Sequence, residues 1–79
     1  MARFYFDYKS GEEVAVDDTG TVLRDVAQAQ AEAIAAAGEW IKEKTASGAT
    51  AELSLSVRNG DPTPLFVVTA AVRINRDNR

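Results

Sequence analysis

Hydrophobic and polar residues alternate strictly at the start of the chain. In residues 3–9 (RFYFDYK), Phe4, Phe6 and Tyr8 share one face of an extended strand, while Arg3, Tyr5, Asp7 and Lys9 share the other. That is the pattern of an antiparallel strand with one buried face. Ser10, Gly11 and Glu12 supply a turn, and residues 13–17 (EVAVD) predict a second short strand with Val14 and Val16 inward. Asp17-Asp18-Thr19-Gly20 closes that strand with turn-forming residues, and residues 21–23 extend the hairpin.

From Val26 to about Ala46 the period changes to that of a helix, in a segment dominated by alanine, the strongest helix former. Asp25 is the expected N-cap, with Gln28 three residues on as its capping-box partner. At 100° per residue, Val26, Ala27, Gln30, Ala33, Ile34, Ala37, Gly38, Trp40 and Ile41 gather on one side. Gln28, Glu32, Glu39, Lys42 and Glu43 gather opposite. Ser47-Gly48 supplies the stop, with Gly48 as a C′ glycine.

Residues 52–58 (ELSLSVR) alternate again, Leu53, Leu55 and Val57 inward. Residues 59–64 (NGDPTP) read as a turn. In residues 65–74 (LFVVTAAVRI) the alternation fails: Phe66, Val68, Ala70, Val72 and Ile74 form one apolar face, but Leu65, Val67 and Ala71 are apolar on the other. The order predicts an α+β fold, β-β-α-β-β, with one long helix on one face of a four-stranded, mostly antiparallel sheet. Residues 1–74 form the single domain and residues 75–79 a polar tail. Whether the last strand lies beside the first or at an edge is open. A helix face made of methyl groups leaves volume for the sheet to fill, a task that falls to Phe4, Phe6 and Tyr8.

Away from the helix lie Tyr5, Ala15, Leu65, Val67 and Ala71, the expected surface for a partner or a second copy. A long apolar edge strand is commonly covered or paired. The expected assembly is therefore a homodimer, using the open face or the last strand's edge.

Bulk properties narrow the chemistry. With 79 residues the core is thin, so burial through association matters. A net charge of −3 favours solubility and disfavours a nucleic-acid backbone as main partner. The chain has no cysteine and no histidine, which excludes disulfides, Cys/His zinc sites, a histidine base and a cysteine nucleophile. No cofactor or metal is expected, and no membrane span. The N-terminus lacks a signal-peptide pattern, making the cytoplasm the default location. The acidic turn at Asp17 has no calcium-loop spacing and reads as solvated. Arg58, Arg73, Arg76 and Arg79 give the C-terminal half a basic cast, without an aromatic beside them to stack a base.

Arg3-Phe4-Tyr5-Phe6, Gly11, Asp17-x-x-Gly20, Leu23-x-Asp25 and the alanine helix at residues 29–33 resemble a family of small uncharacterised proteins common in rhizobia and related alphaproteobacteria. Members of that family begin Arg-Tyr-Phe-Phe-His; here Asp7 replaces the histidine, and the resemblance implies no activity. A looser likeness is to antitoxins of the HicB kind, which implies a toxin partner without the appended DNA-binding element. The sequence thus points to a non-enzymatic protein-interaction module that associates with itself. The alternatives are an antitoxin-like inhibitor and a weak nucleic-acid binder acting through the C-terminal arginines.

Overall fold

A computed structural model describes residues 1–77. Its elements are β1 (Ala2–Ser10), β2 (Glu13–Ala15), β3 (Thr21–Leu23), α1 (Val26–Lys44), β4 (Ala51–Arg58) and β5 (Phe66–Val72). The fold is α+β, one helix on a five-stranded sheet whose pairings are all antiparallel. The sheet runs β2-β1-β4-β5, and β3 also pairs with β1. Strand β5 therefore lies at an edge, separated from β1 by β4. The expected polar tail extends two residues outside the described range.

The alternating strands behave as their pattern dictates. Leu53, Leu55 and Val57 of β4 are the largest fully buried side chains, joined by Phe4 and Tyr8 from β1 and Leu23 from β3. Burying a leucine or valine of this kind contributes about 1.5–3 kcal/mol. Above them lie Ala29, Ala33 and Ala37 of α1, each at most 2% exposed. Helix α1 is capped as expected at its start: the Asp25 carboxylate accepts from Gln28 N at 2.9 Å. The Gln28 side chain closes the box one residue early, accepting from Arg24 N at 2.7 Å. At the other end Thr45 is the C-cap, its hydroxyl donating to Ile41 O, and Gly48 closes the following turn with φ +88°.

Three details depart from the pattern. The first is the register of β2. Ser10 pairs with Glu13 around a two-residue loop whose first position, Gly11, has φ +61°. This is a tight hairpin, not a three-residue turn, and one residue's difference reverses every side chain. Val14 therefore sits opposite Lys9 and is 60% exposed, while Ala15 sits opposite Tyr8 on the helix side. Val16 has left the strand and is exposed too.

The second is the roll of the helix. Val26, Ala27, Gln30, Ile34 and Gly38 face solvent, and the sheet-facing stripe is Ala29, Ala33 and Ala37, with Ala36, Trp40 and Ile41 beside it. The helix turns its smallest residues to the sheet instead of its most hydrophobic. Branched side chains there would hold it away from Leu53 and Leu55, which already fill the interface. The third is Phe6, which is half-buried and packs beside the core, whereas Phe4 is 2% exposed.

Truncation should separate these roles. Phe4→Ala is expected to cost about 3–5 kcal/mol in urea unfolding, Phe6→Ala clearly less. Ala33→Leu should destabilise by about 1–3 kcal/mol despite leucine's greater hydrophobicity, because no space exists for the added carbons.

Candidate functional site

The open face of the sheet carries a connected polar cluster. Asp7 on β1 and Arg58 on β4 form an ion pair at 2.8 Å, with side chains 24% and 19% exposed. Arg58 also donates to Asp17 O at 2.8 Å and lies over the Tyr5 ring, 4.7 Å from its centroid. The Asp7 carboxylate in turn accepts from Asp17 N at 2.9 Å.

Asp17 is the hinge of this cluster. Strands β2 and β3 pair with the two ends of β1, leaving the segment around Phe6 without a strand partner on that side. Asp17 fills the gap: one carboxylate oxygen accepts from Phe6 N at 3.1 Å, the other from Thr19 N and Gly20 N at 3.1 and 2.9 Å. The turn expected to be solvated thus works as a backbone clamp. Gly20 is obligatory in it, with φ +78° and a position where a Cβ would come within 2.9 Å of the Arg3 and Tyr5 side chains.

The electrostatics follow from these bonds. The Arg58 guanidinium is the main cause holding the Asp7 carboxyl below its usual pKa, against partial burial. Burial pushes the Asp17 carboxyl up, but the N–H groups of Gly20, Phe6 and Thr19, together with Arg58, outweigh it and the net shift is downward.

Of the expected partner surface, Tyr5 lies beneath Arg58, Val67 sits opposite Ser56, and Ala71 sits opposite Glu52, all on the open face. Leu65 precedes β5 and is 44% exposed. Ala15 does not belong with them, for the register reason given above. Of the arginines, Arg58 is committed to the cluster and Arg73 pairs with Glu52 at 2.8 Å; Arg79 lies outside the described residues.

A second feature was not visible in the sequence: a groove of about 670 Å³ between the last turns of α1 and the β1–β2 hairpin. Phe6, Tyr8 and Trp40 form its aromatic side, and Ala15 and Val16 line it from β2 and the residue after it. The Trp40 ring meets that of Tyr8 edge-on at 4.7 Å. The helical period places Trp40 on the inner side, but the pattern of residues 13–17 turns Ala15 to the opposite face, so the sequence alone does not bring the two together. Among the described residues no helix is long and apolar enough to cross a membrane.

The family model of DUF6894, a domain of unknown function, matches residues 3–71. The chain belongs to that family. No curated protein and no solved structure matches the chain significantly. The DUF6894 match takes in the helix, the Asp17 clamp, the groove and all of the strands except Ala2 of β1 and Val72 of β5.

The clamp makes stability depend on acid. Both carboxyls have folded-state pKa values below their unfolded ones, so their contribution is complete above about pH 4 and is lost as pH falls through the folded values. Asp7→Asn is expected to lower stability by about 1–2 kcal/mol at neutral pH. It should also flatten the loss of stability as pH falls below about 4, read from urea midpoints over a pH series.

Proposed function

We propose that this domain is a small, non-enzymatic, cytoplasmic protein-interaction module that forms a homodimer through the free edge of β5. The observation that carries the reading is the contrast between the two edges of the sheet. One is divided between two three-residue strands with the Asp17 clamp between them. The other is a seven-residue strand, FVVTAAV, with no charge and no proline to discourage pairing. Leu65, Val67, Val72 and Ile74 along it are 37–56% exposed.

Antiparallel pairing of β5 with its copy about a two-fold axis normal to the sheet would continue the sheet across both protomers. Both helices would then lie on the same side. Ile34 is 54% exposed and does not line the Trp40 groove, so it remains free for contact between the two helices. The absence of cysteine fits a reducing compartment.

Light scattering coupled to size exclusion should return a dimer at about 100 μM, a concentration that detects even modest affinity. Val67→Lys should raise the dimer dissociation constant about tenfold or more without changing the fold. A monomer at that concentration overturns the proposal. An antitoxin-like inhibitor would instead use the edge on a toxin, and would elute as a hetero-complex with the product of an adjoining toxin gene.

A further inference from the structure

The groove beside Trp40 contains a polar atom that the fold leaves unsatisfied. Tyr8 is 8% exposed, and its hydroxyl is buried without a hydrogen-bond partner among the described residues. Native interiors rarely leave such a group unpaired, and an exception points to something that completes it. Tyr8 lines the groove, so a molecule bound there is the natural partner.

Lys44 tells which chemistry. Its ammonium lies 5.8 Å from the centroid of the Tyr8 ring, and the side chain is one-third exposed. The lone pairs of the Tyr8 oxygen, followed by the charge of Glu13, hold the Lys44 pKa above its usual value, with burial opposing. The two groups lack hydrogen-bond geometry, and the ammonium stands over the Tyr8 ring where both line the groove. The hydroxyl has no acceptor for its proton and no donor to its oxygen among the described residues. An oxygen that accepts this proton while lying beside a lysine is best supplied by an anion.

The protein already holds a stand-in. Glu13 approaches Lys44 at 3.5 Å from the rim, a loose contact with the glutamate side chain 65% exposed. Pairs of this kind contribute little and are readily displaced. Of the other acids lining the groove, Asp17 has its oxygens occupied by backbone N–H groups, and Glu43 is exposed. The rest of the lining is Phe6, Trp40, Ala15 and Val16, which suits an apolar body. A volume of about 670 Å³ is that of a small-molecule site.

We propose that this groove binds a small carboxylic acid with an aromatic or alkyl body, its carboxylate held between the Tyr8 hydroxyl and the Lys44 ammonium in place of Glu13. The site lies at the opposite side of the sheet from β5, so it stands or falls independently of dimerisation.

The single tryptophan makes the test direct. The full chain is titrated with 4-phenylbutyrate, and separately with 4-phenylbutanol and 4-phenylbutylamine, while Trp40 emission is followed. The acid should give a saturable change, with the alcohol and the amine at least about tenfold weaker. Lys44→Gln and Tyr8→Phe should each weaken the acid about tenfold, and Tyr8→Phe should melt no lower than the parent, since it removes only an unsatisfied group. Glu13→Gln should tighten binding about threefold or more by removing the internal competitor. Tighter binding of the amine, weaker binding by Glu13→Gln, or no saturable response to the acid up to about 10 mM would overturn the proposal.

Discussion

The fold rests on the close approach of an alanine stripe to the centre of the sheet. Ala29, Ala33 and Ala37 lie over a strand that presents Leu53, Leu55 and Val57, and all six are 2% exposed or less. Methyl groups let the helix axis come near; the strand's larger side chains then fill the space to the density of a native interior. For a domain of 79 residues this economy matters, because few other side chains can be fully enclosed. It also explains the roll of α1. With Ile34 and Val26 facing inward the helix would ride higher and the core would open, so packing overrides the average hydropathy of the faces.

The same thinness leaves the periphery of the sheet incompletely covered, and the periphery is where the interesting chemistry falls. On the β1 side, the chain breaks its second strand at Val16 and uses the Asp17 carboxylate to satisfy backbone that no strand reaches. Arg58 then ties Asp17 and Asp7 together from the neighbouring strand. That edge is broken into two three-residue strands with a side-chain clamp between them. On the β5 side nothing comparable exists among the described residues, and the strand presents its backbone, Val67 and Val72 outward. The helix, lying over β4 and β5, leaves the β1–β2 hairpin partly uncovered at its other flank. Between Trp40 and Ala15 this produces the groove.

Much of the architecture was legible in the chain. Strict alternation in residues 3–9 and 52–58 gave two strands and their buried faces, because a pleat admits only one assignment when bulky and polar residues take turns. Asp25 and Gln28 marked where the helix starts through groups that must satisfy free N–H donors. The candidate site was less legible. Tyr5, Val67 and Ala71 fall on the open face as their parity requires, yet Ala15 does not, since its face depends on whether the loop at Gly11 holds two residues or three. Asp17 read as one more turn residue, because nothing local shows that the N–H of Phe6, eleven positions earlier, lacks a partner.

The sequence by itself therefore determined two hairpins flanking one helix, the central faces of β1 and β4, and the start of α1, all of which follow from short-range periodicity and capping chemistry. The separation of β3 as a fifth strand did not follow. Tertiary structure decided the roll of the helix, the register of β2, the clamp at Asp17 and the meeting of Tyr8, Trp40 and Lys44. Each of these is a contest over volume or an unpaired backbone group between segments far apart in the chain. Periodicity carries no information about which of two hydrophobic faces fits the space that another segment leaves.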